Sequence, residues 1–238
     1  YEKDKMQRIT LIKDGLKVSG LSLEEEYRIN LRLYTEYEAY ICDSARHYIN
    51  RNIELAVRLN NREWLNESKL KKVHILATSG LYAEGLRLLE TINKQHLSDR
   101  LLVDYYMAFE NIYLYYAEYA QDDEYMPGYL DKMNSYRDSV LMIVPEGSYQ
   151  YVIVQGPMLI YHQQPKEAEN LLKTYISGVS SDTREYAILT SILAFTYQND
   201  SQLELQKMCL AESAIADIKA VVKENNSLRA LAELLYEE

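Results

Sequence analysis

Apolar side chains recur along this chain every three to four residues, the spacing of one face of an α-helix. Met6, Ile9, Ile12 and Leu16 open the series in a stretch over 1–18. Past Gly20 and Ser22, Glu24 to Glu26 supply the negative first turn that favours a helix start. From there the pattern predicts helices in pairs joined by short loops: 24–41 with 43–60, 62–78 with 82–93, 98–120 with 124–144, 148–162 with 165–178, and 183–198 with 202–223. A last helix over 226–237 has no partner. Asp43, Ser98, Asp182 and Ser201 read as N-caps, and Pro165 as a first-turn residue whose missing N–H costs nothing. Pro145 and Gly147 close a helix, and Gly80 stands where a left-handed cap is expected. No segment alternates with period two for a useful length. The stretch 149–154 is β-rich and Pro157 follows it, so 148–162 carries the weakest helical signal.

The pattern also repeats. Gly156, Ala194 and Ala232 lie 38 residues apart, as do Leu159, Tyr197 and Leu235. Leu171 and Leu172 fall in the same register as Cys209 and Leu210. A period of this size, with a small residue where two helices must touch, marks stacked helical hairpins. The expected fold is all-α, a single repeat domain over 1–238 that ends in mid-repeat, so the natural protein is expected to continue beyond Glu238. The hairpins resemble tetratricopeptide (TPR) repeats, whose pattern wants a small residue on the first helix and another twelve positions later. Gly156 and Ala168 satisfy it, with Leu172 and Tyr175 at the later packing positions. Ala194 and Tyr197 fit as well, but Gln206 departs from the pattern, and 38 exceeds the usual TPR period. The resemblance implies a TPR-like α-α superhelix.

Composition narrows the function. The 238 residues are 47% hydrophobic and 26% charged, ordinary for a chain that buries a core, and 8 Gly with 4 Pro suit long helices better than a turn-rich sandwich. A net charge of −10 opposes direct nucleic-acid binding by this segment. No apolar run approaches the length needed to cross a bilayer. Cys42 and Cys209, the only cysteines, belong to no metal or redox motif; they read as two buried free thiols, with a long-range disulfide as the alternative.

Chemistry-bearing patterns are missing. His47, His74, His96 and His162 stand far apart, with no i, i+4 pair for a helical metal site. Asp122-Asp123-Glu124 lacks the glycine and alternating oxygen ligands of a calcium loop. With no phosphate loop, nucleophile elbow or HExxH run, neither enzymatic activity, metal nor cofactor is expected. The unusual feature is 23 Tyr against 2 Phe and 1 Trp. Tyr105, Tyr106, Tyr113, Tyr115, Tyr116 and Tyr119 crowd one helix on more than one face. Such rings serve equally as half-buried packing with a wet hydroxyl or as an aromatic groove for peptides or sugars. If first helices line a binding face, as in TPR proteins, its residues are Asn111, Glu118, Tyr161, Phe195, Gln198 and Asn199.

A second resemblance is more specific. The run from Leu210 to Tyr236, LAESAIADIKAVVKENNSLRALAELLY, and the opening Tyr1 to Leu16 are similar to segments of membrane-anchored TPR-type transcriptional regulators of gut anaerobes. In that family the TPR-like region lies outside the cytoplasmic membrane, and a transmembrane helix and a DNA-binding segment follow. The resemblance implies a periplasmic sensor region that binds a protein or a small glycan or peptide, with a homodimer among the arrangements open to it and membrane anchoring left to the C-terminal part. A cytoplasmic adaptor that only brings proteins together is the alternative.

Overall fold

The computed structural model describes residues 1–120, 123–199, 202–223 and 225–236. Among them are twelve α-helices and no β-strand. They group into two compact units, one of Glu2–Ile143 and one running from Val144 to the C-terminus.

The first unit holds α1 (Glu2–Asp14), α2 (Leu23–Tyr37), α3 (Cys42–Arg58), α4 (Arg62–Thr78), α5 (Tyr82–Glu90), α6 (Asp99–Ala120) and α7 (Met126–Leu141). Each packs on the next, and α4 also packs on α6, so successive first helices lie side by side. α2 starts at a capping box: Ser22 Oγ accepts from the Glu25 N–H, while the Glu25 carboxylate accepts from the Ser22 N–H. Its core meets α4 at a register of 37 residues. The Tyr27 ring stacks on Trp64 at 4.3 Å, and the Tyr34 hydroxyl donates to the Lys71 carbonyl at 3.2 Å. Farther along, Leu70, Val73, Leu89, Leu101, Phe109 and Ile112 form one buried cluster among α4, α5 and α6.

The second unit holds α8 (Tyr149–Tyr161), α9 (Pro165–Ile176), α10 (Arg184–Asn199), α11 (Leu203–Ala220) and α12 (Asn226–Tyr236). The β-rich segment is helical despite Pro157, because Val152, Val154, Met158 and Ile160 are buried around most of its circumference. Two of the three predicted small-residue crossings form, whereas Ala232, the third, lies exposed on α12. Gly156 and Ala194 are buried, and Leu172, Leu193, Tyr197, Cys209 and Leu210 pack around Ala194 in a single cluster. Gln206, the departure from the TPR pattern, is buried where Ala168 is buried one repeat earlier. A β-carbon on Gly156 would stand 3.5 Å from Ile192 Cγ2 and from Leu172 Cδ2, ordinary van der Waals distance. Gly156→Ala is therefore expected to stabilise the protein by about 0.5–1 kcal/mol, since it removes a helical glycine without a clash. A higher urea midpoint at unchanged slope checks it.

Loops explain the short connections. Asn60, Gly80, Gln163 and Val221 all take left-handed backbone, with φ of 51°, 76°, 60° and 57°. At each, the following N–H reaches the carbonyl five residues back, as from Leu81 to Leu76 and from Gln164 to Leu159. Gly80 was legible from sequence; the other three adopt this conformation without glycine. Two expected caps shift. Asp43 lies inside the first turn of α3, whose N-cap is Ile41. Thr183, not Asp182, caps α10 by accepting the Tyr186 N–H, while the Asp182 carboxylate pairs with Lys219. Ser98 precedes α6 as expected, but its hydroxyl donates to Glu63. Ser201 lies outside the described residues. Both cysteines are free thiols, Cys209 buried and Cys42 half-buried.

Candidate functional site

The residues expected on a binding face fall into two groups. In the first unit, Asn111 is half-buried on α6 and donates its amide to the Met107 carbonyl one turn back, at 2.9 Å. Glu118 is exposed on the same helix. Surrounding protein still crowds its carboxyl: burial, and then the nearby Glu110 charge, raise it above the usual carboxylate range. In the second unit, Phe195 and Gln198 share an exposed face of α10, three residues apart. Tyr161 ends the adjacent helix α8, half exposed, with the His162 ring edge-on at 5.3 Å. Asn199 closes α10, and its side chain lies outside what is described. The expected acidic run begins at Asp122, also outside the described residues.

The tyrosines do two different jobs. One set ties helices together through hydroxyls that donate to carboxylates. Tyr40 reaches Glu2 at 2.7 Å, Tyr175 reaches Glu185 at 3.0 Å, Tyr186 reaches Glu212 at 2.8 Å and Tyr197 reaches Glu169 at 2.9 Å. The buried Tyr27 hydroxyl meets the Trp64 carbonyl, Glu67 and Ser68 together. Phenylalanine at these positions would forfeit each of these bonds. Burial of tyrosine hydroxyls beside carboxylates predicts alkaline sensitivity. Burial, with Glu185 second, pushes the Tyr149 hydroxyl up to about 12, and burial with the Glu212 hydrogen bond does the same for Tyr186. An unfolded chain releases these protons near the ordinary tyrosine value of about 10. The stability they lend is thus complete below that value and is lost as pH rises from 10 towards 12. Exposed tyrosines ionise first, and a second, later rise of tyrosinate absorbance should coincide with the loss of helical circular dichroism.

The second set is an aromatic wall in the first unit. Tyr82 of α5 stacks on Tyr115 at 5.5 Å and on Tyr119 at 6.3 Å. On α7, Tyr129 stacks on Tyr116 at 5.2 Å, and Tyr136 stacks on Tyr113 at 5.9 Å and on Phe109 at 4.7 Å. Contacts between rings in this range favour offset stacking, and Tyr119 remains largely exposed. Sequence reading found the α6 members but missed Tyr82, Tyr129 and Tyr136. The seven-residue spacing of Tyr129 and Tyr136, which puts both on one helix face, was the available signal.

No group of three or more metal-ligating side chains occurs among the described residues, and no described helix is long and apolar enough to cross a membrane. A hollow of 510 Å³ lies between the start of α8 and the end of α9, walled by Val152, Leu171, Thr174 and Tyr175. It contains no ionisable group other than Tyr175, whose hydroxyl is already bound to Glu185.

Helix pairs stacked in register, crossing at small residues and carrying exposed polar and aromatic faces, define a helical-repeat protein of the TPR-like α-α superhelix class. A thermophilic TPR protein of Thermus thermophilus, solved by crystallography, shares the fold with a TM-score of 0.61 at 18% identity, over 90% of this chain and 100% of that one. At such identity the likeness concerns the fold alone. No curated protein sequence matches the chain. The chain belongs to the family of the SusR N-terminal TPR domain, whose model matches residues 1–238.

Proposed function

We propose that this domain is the extracytoplasmic sensor region of a membrane-anchored transcriptional regulator, and that it binds a protein or a small glycan or peptide without chemical turnover. The observation that carries this is the exposed face of Phe195 and Gln198 beside Tyr161, on first helices of a family of TPR domains attached to SusR. A half-exposed phenylalanine, in a chain that otherwise prefers tyrosine, offers a ligand an apolar ring with no hydroxyl to desolvate. Binding drives output only if the ligand prefers one arrangement of the helices over another. In the full-length regulator, Phe195→Ala and Gln198→Ala should weaken calorimetric binding of the inducing glycan or peptide and lower reporter transcription, with the thermal midpoint unchanged. Unchanged binding and reporter output in both variants would defeat the proposal.

A second reading is an adaptor that assembles other proteins without sensing. The apolar stripe of α12 favours it: Leu228 and Leu235 are 48% and 56% exposed, while Ala230, Leu231 and Leu234 turn inward. A fusion reporter active only in the periplasm, joined to the natural N-terminal region and this domain, separates the two readings by compartment.

A further inference from the structure

From Leu101 to Asp131 the chain contains no lysine or arginine, yet it carries seven acids (Asp104, Glu110, Glu118, Asp122, Asp123, Glu124 and Asp131). Eight tyrosines occupy the same stretch. This is the stretch that builds α6 and the start of α7, and hence most of the aromatic wall. The wall is an electron-rich surface in a strongly acidic setting. Ring faces attract cations through their quadrupole, and a carboxylate beside them adds a directed charge.

The chain's own cations show how the rings are used. Lys132 Nζ stands 5.1 Å from the centre of the Tyr113 ring, and Lys94 Nζ stands 5.8 Å from that of Tyr106. The remaining bases near the wall are committed elsewhere: Arg137 is buried against Glu110, and Arg87 pairs with Glu84. Glu118 differs. It has no cationic partner among the described residues, and it lies close enough to Tyr82 for its charge to act on that ring's hydroxyl. Tyr119, next in sequence, is 66% exposed and stacks on Tyr82. Crowding by protein already disfavours the Glu118 charge, so an arriving cation would stabilise it more than it would a fully hydrated carboxylate.

We infer that the Tyr82–Tyr115–Tyr119 end of this wall, with Glu118, is a docking site for an arginine- or lysine-bearing peptide segment of a partner protein. This deepens the reading of the domain as a binding module by naming the chemistry of one partner. A guanidinium stacks on one of these tyrosines while donating to the Glu118 carboxylate. Flanking basic residues of the same segment meet exposed acids of this stretch, such as Asp123 and Asp131.

The probe is acetylated, amidated hexa-arginine, with hexa-lysine and hexa-glutamate of equal length as comparators, titrated into the isotopically labelled domain at physiological salt. Saturable shifts confined to amides around Tyr82, Tyr115, Glu118 and Tyr119 are expected, with hexa-arginine the tightest ligand and hexa-glutamate silent. Glu118→Gln should weaken binding roughly three- to ten-fold and Tyr119→Ala roughly two- to five-fold, the ranges for exposed charge-assisted and cation–π contacts. Both side chains are exposed, so both variants should keep the parent's melting midpoint. Glu90→Gln, on the same unit but away from the wall, should bind as the parent does. Shifts scattered over all acidic surfaces, or equal losses in Glu118→Gln and Glu90→Gln, would overturn the assignment by reducing it to attraction by net charge. Binding of a glycan or peptide at Phe195 and Gln198 with an inert wall would overturn this inference and leave the sensor reading intact.

Discussion

Glu110→Ala should be the most damaging single change in the first unit, costing about 3–5 kcal/mol, because it strands a buried guanidinium. Both Nε and Nη2 of Arg137 lie 2.8 Å from one Glu110 oxygen, and the two side chains are 10% or less exposed. The pair crosses from α6 to α7, beside Asn134, whose amide oxygen is buried without a partner. Burial outweighs the attraction of Arg137 and holds the Glu110 carboxyl above its usual range. The opposite deletion therefore behaves differently. In Arg137→Met the carboxyl survives by taking up a proton, and a raised folded-state value means stability is greatest below the ordinary carboxylate range. It is then lost as pH rises through the folded value. Urea unfolding at pH 5 and pH 8 should show Glu110→Ala weakened at both, and Arg137→Met weakened chiefly at pH 8. Glu110→Leu with Arg137→Met should recover parental stability or exceed it, as apolar replacements of buried pairs commonly do. A loss below about 1 kcal/mol in Glu110→Ala would show that the guanidinium escapes to water.

Why the pair went unread in the sequence, when the helices that carry it did not, follows from what each depends on. Helix positions rest on local periodicity, and the small residues at 156 and 194 repeat because helices pack closely there, while Ala232, though in register, is exposed. Both signals live within a few dozen residues of chain. Glu110 and Arg137 look like any surface charges in a helix until α6 and α7 are packed together. Cap identity was equally opaque at Asp182. Its carboxylate is drawn to Lys219 on α11, a contact 37 residues distant, and leaves the cap to its neighbour Thr183. The tyrosines show the same division. Their abundance and their crowding on α6 could be read directly, but whether a given ring ties helices or faces outward depended on carboxylates of other helices. Glu169 is one such case, and nothing near Tyr197 in sequence announces it. Among the residues expected on a binding face, Tyr161, Phe195 and Gln198 are exposed, although they do not occupy equivalent positions of the 38-residue repeat. Asn111 turns back to its own helix because a carbonyl one turn away is always within reach of an asparagine.

The same register makes Leu172→Ala the sharpest probe of the second unit. Leu172 is fully buried, and its side chain fills the space opposite Gly156, with Cδ2 and Cγ at 3.5 and 3.6 Å from where a β-carbon would stand. Truncation removes apolar contact with a cluster that includes Val152, Leu189, Ala194 and Leu210, and it leaves a cavity beside a residue that has no side chain to relax into it. The expected loss is about 2–5 kcal/mol, towards the upper end because the glycine side of the cavity cannot close. Hydrogen exchange should quicken in α8, α9 and α10 first. A double-mutant cycle adds the stricter test. Adding Gly156→Ala to Leu172→Ala places a methyl group in the vacated volume, so its gain should exceed the gain of Gly156→Ala alone by about 0.5–1 kcal/mol. Strict additivity would mean that α8 and α9 shift together to fill the gap, and that the small residue marks a close approach of helices rather than a fixed socket for the leucine.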